Sequence, residues 1–558
     1  MAIHKMKTSS FPDAGYEQWK ETAVHSLKGK PFESLLTKTV EGITLRPLYT
    51  LGELEARLQT VRPVSSTSGW IVAQQTIAED GQRFLKTLED SLARGNEAIV
   101  YDGRKQLSWN DRLLDELGDF IQKYPVFITD TSKDDPILKV FDRIPAEFRS
   151  SVKGAVSVQD WRIPQGYDQV RTLGADLWDV HHQGADAVTE LALSLAKASE
   201  LAASQETFDE FAEQFFVRFA VDTHFFMEIA KFRAFRVLWQ AFSQAYGKEN
   251  APSVPLLAIT SLRSYSKLDP NVNLLRAGNE AFSAVLGGAD ALTVHPHDVL
   301  TGVTDHSVRL ARNIQLVIKE ETYVTKVADP SGGSYFIETL TAELVERAWK
   351  QFLEIDAMGG YDAYLATGRI EQTMESRKKE VATGKKSLVG TNVYAELTPT
   401  NFSDSGLVAA AERLAAPFEQ LRQRFEDSQP RAAVLTFGAL KDFKPRADFV
   451  TGFLATGGIR AEWSPAFANA QEALDWLASE QPDYAVVCAS PAETEQVMDE
   501  LLAKRPVQVV LDAAGKVDAA LSEKWRSAGL DGFVFAGQNK IEKLLEIAHK
   551  VEGGAHIE

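Results

Sequence analysis

The chain has 558 residues, 44% hydrophobic and 25% charged, which is the composition of an ordinary globular protein and about three or four domain-sized units of length. Its 60 Lys plus Arg against 78 Asp plus Glu give a net charge of −18, which argues against nucleic acid or an anionic membrane surface as a broad electrostatic partner. No apolar run approaches the roughly 20 residues that span a bilayer. Residues Met1–Lys7 lack the apolar stretch of a secretory signal, so the expected location is cytoplasmic.

In chain order, residues 1–64 are polar with spaced aromatics (Phe11, Tyr16, Trp19, Phe32) and end in Leu45-Arg-Pro-Leu-Tyr49. They hold too few apolar residues for a core of their own and are expected to lie as an arm across another surface. Over 65–395 short apolar runs alternate with amphipathic stretches. The runs are Glu97–Tyr101, Val126–Thr129, Gly154–Val158, Arg218–Val221, Leu256–Ile259 and Ala291–Val294. Phe226, Ala230, Ala234, Val237 and Ala241 recur at helical spacing between them. Such alternation implies a parallel sheet. A closed (β/α)₈ TIM barrel is the leading architecture, with an open doubly wound sheet as the alternative.

Residues 396–430 begin with a turn-rich stretch, continue as a polar helix through Arg422 and stop at Pro430, as an interdomain linker would. From 431 to 558 five strands each precede a helix: Ala433–Phe437, Ile459–Trp463, Tyr484–Cys488, Val507–Leu511 and Gly532–Phe535. Ser490-Pro491 opens the third helix as a cap followed by proline. Five such units predict a flavodoxin-like doubly wound domain. The lone cysteine, Cys488, falls inside the third strand and reads as a small core hydrophobe.

Several blocks closely resemble the methylmalonyl-CoA mutase family. They are Leu45–Tyr49, His224–Trp239, Arg309–Thr322, Asp329–Tyr335 and Ser387–Tyr394. The resemblance implies a barrel entered along its axis by acyl-CoA, a cobalamin-binding-type domain capping it, and an arm that wraps a partner subunit. It also implies adenosylcobalamin radical chemistry, in which the protein binds cobalt's lower ligand and shields the radical.

That family carries its cobalt ligand in Asp-x-His-x-x-Gly, in the loop after the first strand of the carboxyl domain. Here the corresponding segment is Phe437–Arg446, with Leu440, Asp442 and Pro445 at the Asp, His and Gly positions. The family's later Ser-x-Leu becomes Ser490-Pro-Ala492, and a glycine pair is reduced to Gly537. No histidine occurs between His306 and His549. Asp179-Val-His-His-Gln-Gly184 satisfies the motif literally but lies far upstream, where it reads as a strand end turning into a helix near Ala185.

The resemblance also places a Tyr and a thioester-polarising His where this chain has Val72, in Trp70-Ile71-Val72, and Asp179, in Leu177-Trp178-Asp179. Valine donates no hydrogen bond, and a carboxylate repels developing oxyanion charge. A two-residue slip would bring His181 to the same strand face. Ser261–Asp269 departs from the family's Thr-Ser-Gly-Trp-Ser-Leu segment. His295-Pro-His297-Asp298 suggests a metal only weakly and reads as a relic of a substrate-side histidine. Ser331–Ser334 reads as a glycine-permitted turn, and Lys378-Lys379 and Lys385-Lys386 as solvated faces.

The resemblance thus implies the small (beta), non-catalytic subunit of a heterodimeric mutase, with no catalytic, cofactor-binding or metal residues of its own. Adenosylcobalamin and acyl-CoA are expected on a larger catalytic subunit. The alternatives are an active acyl-CoA mutase barrel using cobalamin from a separate polypeptide, and an independent acyl-CoA-binding regulatory protein.

Overall fold

The computed structural model describes residues 15–55, 68–408 and 411–554. Phe11, in the expected arm, lies outside them. The arm begins with a helix, Tyr16–Ser26, none of whose residues is buried. Its rings pack on one another instead, Tyr16 5.6 Å from Trp19 and Trp19 6.4 Å from Phe32. A short antiparallel ladder follows, β1 (Thr37–Lys38) with β2 (Thr44–Leu45). Ile43 is buried in the main core, and Tyr49 lies 5.0 Å from Phe336, so this end of the arm is fastened down.

The next strands are β3 (Ile71–Val72), β4 (Ile99–Asp102), β5 (Val126–Thr129), β6 (Lys153–Val156), β7 (Gln169–Arg171), β8 (Leu173–Asp176), β9 (Phe215–Val221), β10 (Leu256–Thr260) and β11 (Ala291–Thr293). All their pairings are parallel, in the orders β4-β5-β6-β7 and β8-β9-β10-β11-β3. Only Thr172 separates β7 from β8, and a Gln75–Val100 bridge joins the end of β3 to β4. The last strand therefore pairs with the first.

Seven consecutive buried residues make up β9, as expected of a parallel strand covered on both faces. It starts three residues earlier than the apolar run at Arg218 suggested. The helix Phe225–Ala245 buries Ala230, Ala234 and Val237 as expected. Phe226 sits in its first turn and is exposed, edge-on to Phe336.

The final sheet is wholly parallel. Its strands are β12 (Ala432–Phe437), β13 (Ala461–Phe467), β14 (Tyr484–Cys488), β15 (Val510–Ala514) and β16 (Gly532–Val534), in the order β13-β12-β14-β15-β16. A helix follows each. The fourth strand is not the apolar run Val507–Leu511. Val507 is 95% exposed, and the strand begins at Val510 so that Asp512 becomes its buried centre. There Asp512 accepts from Tyr484 Oη at 2.7 Å and pairs with Lys543 at 2.6 Å. Burial raises the Asp512 pKa despite Lys543. A charged pair inside the sheet is what the hydropathy pattern could not show.

Within 396–430 the helix Ala416–Ser428 buries Phe418, Leu421 and Phe425. Its Glu419 accepts from Lys267 N at 2.8 Å, and its Arg422 donates to Ala455 O at 3.1 Å. One helix is thereby tied to the segment after β10 and to the helix after β12.

Gly154 in β6 has φ +150°, and a Cβ there would lie 1.9 Å from Val126 O of the neighbouring strand. Gly154→Ala is expected to destabilise the chain by about 3 kcal/mol or more, through strain and loss of the β5–β6 ladder. Urea denaturation monitored by circular dichroism measures this; an unchanged midpoint would contradict the strand packing.

Candidate functional site

Two places could hold chemistry: the carboxyl ends of the first set of strands and those of the final sheet. Between the first strands, Ile71, Ala73, Val100, Phe127, Ala155, Phe216, Leu257 and Ala291 form one apolar cluster. Above it, Arg218 of β9 is 5% exposed and is held by Asp130 at 2.8 Å and Asp176 at 2.5 Å, donating also to Thr129 Oγ1 at 2.9 Å. Burial opposes ionisation of Asp130, but Arg218 and Arg104 outweigh it and hold its pKa below the usual value. Burial raises Asp176, against the pull of Arg218. A cavity of about 30 Å³ remains beside Gln75, Asp102, Thr129 and Arg218, room for about one water.

Val72 is fully buried and registers with Leu292, which faces the outer helical core. Its neighbours Ile71 and Ala73 are the ones that face the interior cluster. The expected strand end at 179–184 is instead a short helix, Trp178–Gln183, because β8 stops at Asp176. Asp179 is exposed on it, and His181 reaches its place by helical geometry rather than by a slip along a strand.

His181 is fully buried. Its Nδ1 lies 2.7 Å from Glu190 Oε1 and its Nε2 lies 2.8 Å from Ser261 Oγ. Lys231 donates to Glu190 Oε2 at 2.9 Å and pairs with Glu228 at 2.7 Å. The ammonium favours Glu190 as acceptor, so Nδ1 donates and Nε2 accepts the Ser261 hydroxyl proton. This is the connectivity of a nucleophile, a base and an orienting acid. It lacks room for a reacting atom: Ser261 has no exposed surface and its Oγ accepts Arg263 N–H at 3.1 Å. Arg263 is in turn locked to Asp222 at 2.7 Å. The chain of bonds braces helix against strand. Hydropathy marks Lys231 only as a charge on an otherwise apolar helical face, and its partner Glu190 lies far off in sequence.

His295 is buried with Nδ1 2.8 Å from Thr260 O, and its Nε2 has no partner among the described residues. Burial pushes its pKa down to about 3, so it is a neutral packing group. Trp178 lies against it at 5.3 Å, and Arg104 lies over the Trp178 ring at 5.3 Å. Among the described residues no three His, Cys, Asp or Glu side chains are grouped to hold a metal ion. In Ser331–Ser334, Ser331 Oγ donates to Leu286 O at 2.6 Å and Ser334 caps the helix Tyr335–Met358, so the turn is structural. Lys378 pairs with Glu375 and Glu412. Lys386 is not a solvated residue: it is partly buried, and burial, with Arg377 and Arg263 nearby, lowers its pKa against the pull of Asp222.

In the final sheet the segment after β12 is not an extended loop. Only Gly438 and Ala439 intervene before the helix Leu440–Thr456, which contains Leu440, Asp442 and Pro445. The strand order reverses between β12 and β14, the crevice where doubly wound sheets take ligands. There Gly438 has φ +76°, and a Cβ on it would lie 2.0 Å from Glu493 Oε1. Glu493 is held by the expected cap: Ser490 Oγ donates to its Oε2 at 2.8 Å in a capping box. Burial pushes the Cys488 thiol up to about 12, consistent with an inert core residue.

A sequence profile described as methylmalonyl-CoA mutase matches residues 149–443, more than half of the chain. The chain belongs to the methylmalonyl-CoA mutase family. A methylmalonyl-CoA mutase small subunit from Porphyromonas gingivalis is 28% identical over 98% of both chains. Another small subunit, from Streptomyces virginiae, is 28% identical over 96% of both. A methylmalonyl-CoA mutase from Rhizobium meliloti is 40% identical, over 39% of this chain and 32% of its own length. The relatives aligned end to end are thus small subunits.

The buried His295 carries a pH signature. Its pKa in the unfolded chain is about 6.5, so below that the unfolded state binds a proton that the folded state refuses. Stability from this group is therefore lost as pH falls from about 6.5 toward 3. Comparison with His295→Gln removes the opposing contributions of the buried carboxylates. The stability advantage of the native chain should shrink by about 1.4 kcal/mol per pH unit below pH 6. A pH-independent difference would contradict a neutral buried imidazole.

Proposed function

We propose that this chain is the non-catalytic small subunit of a heterodimeric methylmalonyl-CoA mutase. A larger partner carries adenosylcobalamin and interconverts succinyl-CoA and methylmalonyl-CoA, in the cytoplasm. The observation that carries the reading is the crevice between β12 and β14. Its residues do not fit a cobalamin: the ligand loop is replaced by helix from Leu440, the sequence holds no histidine between His306 and His549, and Glu493 fills the space over Gly438. The filled interior under Arg218 supports the same reading, because a space for about one water admits no acyl-CoA arm.

In this reading residues 65–395 form a (β/α)₈ barrel, 431–558 a flavodoxin-like domain, 396–430 the link between them and 1–64 a partner-contacting arm. The all-parallel pairing of β3–β11, with β11 returning to β3, supports the barrel. The β13-β12-β14-β15-β16 order supports the doubly wound domain. The arm's Tyr16, Trp19 and Phe32, packed on one another with no buried residue in the helix, supply an aromatic face for the partner. A subunit acting this way contributes interface area and mass-action stabilisation.

Mixed with its larger partner, the chain is expected to elute as a 1:1 complex. Trp19→Ala should weaken that association about tenfold or more, with the melting temperature of the free chain unchanged. Succinyl-CoA turnover by the chain alone would overturn the proposal, as would failure to associate.

A further inference from the structure

The groove between the helices Gly81–Ala93 and Asp305–Glu321 differs from the rest of this acidic chain. Its lining carries five cationic side chains, Arg83, Lys86, Arg94, Arg309 and Arg312, against two aspartates. Arg83 pairs with Asp305 at 3.2 Å and Arg94 with Asp90 at 2.8 Å, which uses up both acids. Lys86, Arg309 and Arg312 are left without an ion pair among the described residues. In a protein of net charge −18, three uncompensated cations in one concavity are not the random background of the surface.

Arg312 is the decisive residue. It is 4% exposed, yet among the described residues its guanidinium meets only Ser91 Oγ, at 3.2 Å, and its Nε has no partner. Burying an arginine without a carboxylate is costly, and a site built to receive an anion explains it. Burial lowers its pKa, and although Asp90 opposes this, Arg94 and Arg309 add to it. Arg309 lies one turn away on the same helix, and Lys86 lines the same groove from the other helix. Planar guanidinium groups offer paired donors that match phosphate oxygens. The groove encloses about 540 Å³, within the usual size of a small-molecule site.

We propose that this groove binds a small phosphate-bearing anion through Arg312, Arg309 and Lys86, with a diphosphate unit matching the three free cations. The site lies on the outer helices, away from the crevice of the final sheet, and does not depend on the subunit role proposed above.

Calorimetric titration of the full-length chain with inorganic pyrophosphate at low ionic strength tests it. Saturable one-to-one binding is expected. The exposed pair Lys86→Ala/Arg309→Ala should weaken it about tenfold or more without altering the circular dichroism spectrum. Arg312→Gln should abolish it, and because that residue is buried, the exposed pair keeps the test valid if the variant fails to fold. A control pair on and just after the helix Asp111–Ile121, Arg112→Ala/Lys123→Ala, should leave affinity unchanged. ADP titrated in parallel separates the sources: equal affinity means the phosphates alone are read, and tighter binding means that the groove grips the nucleoside as well. Absence of saturable binding, or equal weakening by the control pair, would overturn the proposal.

Discussion

The guanidinium of Arg218, clamped between Asp130 and Asp176, is the interaction on which the interior of this molecule depends. Asp130 follows β5, Asp176 ends β8 and Arg218 is the middle residue of β9, so one cation draws together strands distant in sequence. Taking three charges out of water costs several kcal/mol per ion, which the short ion pairs and the bond to Thr129 must offset. Phe127 and Phe216 fill the space beneath. Removing one aspartate would leave a buried cation underpaired, whereas keeping all three makes the interior a packed core with one small gap.

The same logic recurs elsewhere. In the final sheet, Asp512 and Lys543 occupy a central strand and its covering helix, and Glu493 occupies the crevice at the strand reversal. In the first part, Lys231 neutralises Glu190 and Glu228 while His181 ties Glu190 to Ser261. In each case polar side chains that could have faced a ligand satisfy one another. Enclosed and mutually bonded, they lend rigidity and registry. Residues matching a catalytic framework can therefore serve as scaffold.

Much of the architecture was legible in the sequence. Tyr484–Cys488 is a strand with the residues expected, and Ser490-Pro491 caps its helix, because a continuous apolar run ending in Ser-Pro has one local solution. Errors arose where tertiary charge pairs override hydropathy. Val507–Leu511 looks more strand-like than Val510–Ala514 until Lys543 is known to cover Asp512. Leu440–Pro445 reads as a loop through the family resemblance, yet these residues, Pro445 included, lie inside a helix. His181 sits on a short helix rather than a strand because β8 ends early. The ion pairs of Arg218 and Lys231 join residues too far apart in sequence for periodicity to link them.

The central claim is that a closed crevice in this chain leaves cobalamin to its partner. Metal analysis of the purified heterodimer loaded with excess adenosylcobalamin tests it most directly. The account predicts one cobalt per pair of chains, all of it following the larger subunit when the two are separated. Two cobalt atoms per pair, or cobalt retained by this chain, would contradict it.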